Sequence, residues 1–222
     1  MRRENAPLVY FANPDNPMGS WWDADSVVSF ARALPETTLL ILDEAYGETA
    51  PMGTIPAIGA LIGQPNILRM RTFSKAYGLA GARIGYAIGT LGNAQAFDKI
   101  RNHFGMARVS VQAALAALKD QAYLADVIAR IDASRDRISG IARSNGLLPL
   151  ASATNFVTVD CGRDGIRAKA IVDGLMEHGV FIRMPGIAPL NRCIRISVGP
   201  EKDMALLEAA LPGVLKAVGS RQ

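Results

Sequence analysis

Three short segments of the chain bear side chains able to do covalent and proton-transfer chemistry. They are Asn13-Pro14-Asp15-Asn16-Pro17-Met18-Gly19, Asp43-Glu44-Ala45-Tyr46, and Thr72-Phe73-Ser74-Lys75 with Arg83 eight residues beyond the lysine. An amine partly withdrawn from water, as Lys75 would be after a buried strand, is free to form a Schiff base with an aldehyde. Asp43 ends an apolar run and offers a carboxylate that keeps a pyridine nitrogen protonated; its plainer reading is a cap on the next turn. Tyr46 and Asn16 donate hydrogen bonds suited to a phenolate oxygen, although Asn16 also reads as an ordinary Asn-Pro turn. Thr72 and Ser74 supply hydroxyls, and Arg83 a planar fork, for a phosphate. Aldehyde, pyridine nitrogen, phenolate and phosphate are together the functional groups of pyridoxal 5'-phosphate (PLP).

These residues must be delivered to one place, and the surrounding pattern predicts how. Residues 8–12, 38–42, 67–71 and 83–88 are short apolar or β-rich runs bounded by Pro, Gly or Asn, and read as strands. Asp23 and Asp25 cap a helix running to about Leu34, with Val27, Val28, Phe30, Ala31 and Leu34 on its apolar stripe; a second helical turn lies at 56–62. Strand, helix, strand, helix, strand predicts parallel βαβ units with both sheet faces covered. Ligands of open α/β sheets bind at the carboxyl ends of the strands, where all three segments begin. Residues 92–145 read as one long amphipathic helical element, with Leu124, Val127, Ile128, Ile131, Ile138 and Ile141 at three- and four-residue steps. From Asn155 the pattern becomes a small α+β module: strand 156–160, helix 166–177, strands 180–183 and 193–198, and a terminal helix 202–218.

In that module Arg195 alternates with Cys193 and Ser197 along one strand face, a pattern that fits a solvent face or a bidentate clamp on a substrate carboxylate. Arg183 is a second candidate for an anionic group. The chain of 222 residues is long enough for two modest domains, and we expect a boundary giving 1–108 and 109–222. Half of it is hydrophobic and a fifth charged, with a formal charge of +4 and arginines dispersed along it, which argues against a nucleic-acid partner. Cys161 and Cys193 lack the spacing of a disulfide framework or zinc site, and His103 and His178 stand far apart, so no metal is expected and a reducing cytoplasm fits. The start, Met1-Arg2-Arg3-Glu4-Asn5-Ala6-Pro7, is not followed by the apolar stretch of a signal peptide, and no run is long enough to span a membrane.

The motifs resemble those of the PLP-dependent aminotransferases of fold type I, classes I and II, and within them histidinol-phosphate aminotransferase. The resemblance rests on Asn-Pro-x-Asn-Pro-x-Gly at 13–19, Asp43-Glu44-Ala45-Tyr46, the run from Thr72 through Lys75, Gly78, Gly81 and Arg83 to Gly85, and Cys193-Ile194-Arg195-Ile196-Ser197-Val198-Gly199. It implies an incomplete large domain with a mostly parallel sheet plus a small C-terminal α+β domain. It further implies Lys75 as the Schiff-base lysine, Asp43 on the ring nitrogen, Tyr46 and Asn16 on the ring oxygen, Arg83, Thr72 and Ser74 on the phosphate, and Arg195 on the substrate carboxylate. A homodimer and amino transfer from an amino acid or amino-alcohol phosphate to 2-oxoglutarate are implied as well. Decarboxylation of a phosphorylated amino acid, or an inactive fragment needing an N-terminal partner, stay open at this point. Met18 stands where the family usually has threonine. The family carries a large N-terminal portion ahead of the first motif, so the chain reads as a C-terminal portion with an exposed apolar sheet edge.

Overall fold

The computed structural model describes residues 6–102 and 104–220, so the N-terminal run before Ala6 and His103 lie outside the described residues. The chain divides into two compact units. The first comprises residues 1–15 and 21–128, and the second 16–20 and 129–222. The boundary therefore falls inside a helix, later than residue 108.

In the first unit, β1 (Leu8–Ala12), β2 (Leu39–Asp43), β3 (Ile67–Thr72) and β4 (Gly85–Ile88) form one sheet in that order. The pairs β1/β2 and β2/β3 are parallel, and β4 returns antiparallel to β3. Gly85 makes the return possible, because a Cβ there would lie 2.6 Å from the Arg71 carbonyl oxygen. Helix α1 (Ala24–Ala33) starts where expected: Asp23 accepts from the Ser26 amide at 2.8 Å. Its Val27 and Ala31 pack on Leu40, Leu42 and Ile67, with Val9 and Phe11 at the margin. The β2–β3 connection forms only short 3₁₀ turns (Gly47–Thr49 and Ile58–Ala60), so the expectation that both sheet faces are covered needs correcting. On the face away from α1, Leu8 and Tyr10 are 49% and 61% exposed.

The middle of the chain is three helices rather than one: α2 (Leu91–Asp98), α3 (Arg108–Lys119) and α4 (Gln121–Ser144). The break between α3 and α4 is Asp120, which leaves helical geometry and accepts from the Tyr123 amide at 3.0 Å as a cap. Helix α3 puts Ala114 and Val111 against Phe73 and Ile84, which buttresses the loop bearing Lys75.

In the second unit β5 (Leu148–Pro149), β6 (Phe156–Asp160) and β7 (Cys193–Ser197) form an antiparallel sheet. Helices α5 (Gly165–Glu177) and α6 (Glu201–Ser220) and the later part of α4 share one continuous core with it, including Ile138, Val159, Ile171, Leu175, Ile194 and Leu211. The strand expected at 180–183 is reduced to one bridge between Arg183 and Arg195. The chain beyond it turns away at Pro185-Gly186. Segment 16–20 joins this unit: Thr158 Oγ1 donates to the Pro17 carbonyl, and the Ala153 amide to the Gly19 carbonyl at 2.9 Å. Gly19 has φ +81, and a Cβ there would sit 2.5 Å from Ser152 Oγ, so no larger residue fits.

Candidate active site

In the first unit, β2 and β3 end side by side and place two of the three motifs together. Asp43 is the last residue of β2, in register with Ala12 and Met70. Its Oδ1 accepts from the Ala45 amide at 2.9 Å, which is the cap, and its Oδ2 accepts from the Tyr10 hydroxyl. Burial, then the hydrogen bond to Asp43 and that residue's charge, push the Tyr10 hydroxyl up to about 12. Tyr46 follows in the turn after β2 with its ring buried, and Lys75 Nζ lies 4.9 Å above that ring's centroid. Among the described residues Lys75 makes no ion pair with a carboxylate. Beyond β3, the Ser74 amide donates to Thr72 Oγ1 at 3.1 Å, and the Gly78 amide to the Lys75 carbonyl at 2.9 Å, closing the lysine loop.

Arg83 ends the 3₁₀ turn Ala80–Ala82 and is the one non-glycine with positive φ, +49, among the described residues. Its Nη1 donates to the Ala80 carbonyl at 2.9 Å and the residue is exposed. A bulky residue held in left-handed geometry is a strained position, of the kind that clusters at functional sites.

The second unit holds the remaining candidates. Arg195 Nη1 donates to Asn16 Oδ1, and its guanidinium carbon stands 4.8 Å over the Phe156 ring. Its Nε is buried and has no hydrogen-bond partner among the described residues. Arg183 pairs its backbone with Arg195 in both directions, at 3.1 and 2.6 Å, and is itself exposed, with its guanidinium 5.9 Å from the Phe181 ring. Asn13, between the units' segments in sequence, is fixed in the first: its side chain bonds the Trp22 and Thr54 carbonyls and the Trp22 amide at 2.8–3.2 Å.

Sequence reasoning missed Tyr10, and missed a buried charge cluster of Glu44, Glu48, Arg69 and Arg71 around Tyr46. The signal for the cluster was present: β3 reads Ile-Leu-Arg-Met-Arg-Thr, and two arginines inside a buried strand demand carboxylates.

Among the described residues no helix is long and apolar enough to cross a membrane, and no group of His, Cys, Asp and Glu is arranged to hold a metal. A lysine, a carboxylate, a phenol and hydroxyls stand at adjoining carboxyl ends of a mostly parallel sheet, the place where α/β folds hold ligands. The chain belongs to the aminotransferase class I and II family, whose model matches residues 2–212, and its fold is PLP-transferase fold type I. It is similar to histidinol-phosphate aminotransferase 2 of Pseudomonas fluorescens (strain Pf0-1), 36% identical over 92% of this chain and 55% of that protein. It is also similar to histidinol-phosphate aminotransferase 2 of Methylococcus capsulatus, 37% identical over 94% of this chain and 56% of that protein. Among solved structures, histidinol-phosphate aminotransferase from Sinorhizobium meliloti in complex with pyridoxal-5'-phosphate is 67% identical with a TM-score of 0.96, over 98% of this chain and 59% of that one. The chain thus spans little more than half the length of these relatives.

Proposed function

We propose that the chain is part of a PLP-dependent aminotransferase of the histidinol-phosphate type. The observation that carries the reading is the Lys75 amine resting on the Tyr46 ring, without a carboxylate partner among the described residues, beside the strand that ends in Asp43. That donor set fits PLP: Lys75 would hold the aldehyde carbon, Asp43 the ring nitrogen, Tyr46 and Asn16 the ring oxygen, and Thr72, Ser74 and Arg83 the phosphate. PLP supplies an electron sink for the bond broken at the substrate's Cα and carries the amino group between substrates. The residues' own part is to orient and to move protons. Asp43 is fixed by the Ala45 amide and shared with Tyr10, so its carboxylate is aimed before any ring arrives. Lys75, on a loop buttressed by α3, can pass a proton between its amine and the substrate carbon.

Arg195 would grip a substrate carboxylate or the phosphate of an amino-alcohol phosphate; its buried, unpartnered Nε supports an anion as the missing partner. Arg183 would serve a second anionic group. The relatives' name supports histidinol phosphate as one substrate; 2-oxoglutarate as the acceptor, and a cytoplasmic homodimer that includes an N-terminal completing segment, are carried by the motif resemblance alone.

The test begins with the visible spectrum of the purified chain mixed with PLP, then borohydride reduction and peptide mass mapping. A reducible band with the adduct on Lys75, absent in Lys75→Ala, is expected. Adducts scattered over the other lysines would sink the reading for this chain. Amino transfer to 2-oxoglutarate, assayed beside carbon dioxide release, separates transamination from decarboxylation.

A further inference from the structure

One guanidinium holds the chain on both sides of Tyr46. Arg71 donates from Nε to Glu44 Oε2 and from Nη1 to Glu48 Oε1, each at 2.9 Å, so the residues two before and two after Tyr46 are gripped by a single planar fork. Glu44 is wholly buried and is gripped again by Arg69, from Nε at 3.1 and 3.2 Å and from Nη2 at 2.9 Å. The remaining Arg69 donors reach the Pro56 and Ala57 carbonyls at 2.7 and 3.0 Å. Two arginines and two glutamates balance in charge, which makes their burial tolerable. The Glu48 carboxyl is pushed up by burial against the pull of Arg71, and its Oε2 is buried without a partner. Gly47 passes so close beneath the fork that a Cβ would lie 3.1 Å from Arg71 Nη1. Four residues after Arg71, the same strand delivers Lys75 onto the Tyr46 ring.

We propose that Arg71 is a positioning residue: bracketing Tyr46 through Glu44 and Glu48, it fixes the ring on which the Lys75 amine rests and so sets where that amine meets an aldehyde carbon. The inference rests on the reading of Lys75 given above. Its geometric half is testable without PLP. The chain has six lysines, which permits specific ¹³C labelling at Cε. The Lys75 resonance, assigned by its loss in Lys75→Arg, should be displaced upfield by the Tyr46 ring and return to the ordinary position in Tyr46→Leu. Arg71→Lys keeps the charge but cannot bond both carboxylates as a fork; it adds a seventh lysine resonance, told from that of Lys75 by adding Lys75→Arg, and we expect the Lys75 resonance to lose most of its displacement while the other five wild-type resonances stay in place.

Glu48→Leu, which replaces a carboxyl with an orphaned buried oxygen by an apolar group, should fold and lose part of the displacement; it decides the matter if Arg71→Lys does not fold. A folded variant of either kind with an unmoved Lys75 resonance overturns the proposal. With PLP and borohydride, labelling of Lys75 in Arg71→Lys should fall on the order of tenfold against wild type. A wild-type chain that takes no label on Lys75 counts against the functional reading, and the ring displacement still decides the role of Arg71.

Discussion

The two units solve the burial problem differently. The second unit gathers strands, α5, α6 and the later part of α4 around one continuous apolar core. The first has its apolar core split between two small clusters and places among them a buried quartet of charges. It also exposes many large apolar side chains, among them Leu8, Tyr10, Trp22, Ile100, Phe104 and Val109. Cutting back an apolar core side chain costs its transfer energy plus the cavity left behind, whereas removing one member of a buried charge cluster leaves its partner's charge less compensated. The unit that bears the lysine loop is therefore the one whose stability rests on geometry, and the other is a plain scaffold for Arg195 and Asn16.

The chain supplies a separate reporter for each unit. Trp21 and Trp22, its only tryptophans, lie in the first, and Cys161 and Cys193, its only cysteines, are buried in the second. In a urea titration, tryptophan fluorescence should change at lower denaturant than thiol reactivity appears, and coincident transitions would break the contrast. The largest effect is expected from Arg69→Met, which takes from wholly buried Glu44 one of its two arginines and should cost about 3–5 kcal/mol in the fluorescence transition while leaving thiol exposure where it was. Leu175→Ala, at a position with no exposed surface, should cost about 2–5 kcal/mol in the thiol transition alone. An Arg69→Met chain that moved both transitions equally would show the units to be one cooperative body.

Much of this division was legible in the sequence, and the illegible parts share a cause. Residues 156–160 read as a strand because the run is β-rich and bounded, and β6 covers the same residues. Asp23 announced α1, and the apolar stripe it begins is the one that packs. The single long element expected over 92–145 failed at Asp120, whose side chain competes for backbone amides and accepts from the Tyr123 amide. Lys75 and Asp43 stood out in the sequence because each follows or ends an apolar run. The Arg71 bracket could not, since it depends on the register that sets Glu44 beside β3, where its amide donates to the Met70 carbonyl at 2.9 Å. The two arginines of β3 announce that carboxylates are needed, but pairs 25 to 27 residues apart carry no local periodicity, so the strand order is what says which carboxylates.

The smallest expected effect sharpens the contrast at the edge of the first unit. Tyr10 stands on β1, which among the described residues pairs with β2 alone, and its hydroxyl donates to Asp43 at the end of that neighbour. With its ionisation pushed up to about 12, the folded chain keeps that proton where an unfolded tyrosine loses it near 10. The sign follows: the stability contributed by this contact is fully present below pH 10 and is lost as pH rises from there through 12. Phenolate absorbance of the wild type minus that of Tyr10→Phe isolates this group from the other four tyrosines. Asp43→Asn removes the hydrogen-bonding carboxylate and its charge but leaves the burial, so the isolated titration should move part of the way back toward 10. A Tyr10 that titrates like a free tyrosine in the wild type would leave Asp43 aimed by the Ala45 amide alone, and the edge strand would then have no share in the site.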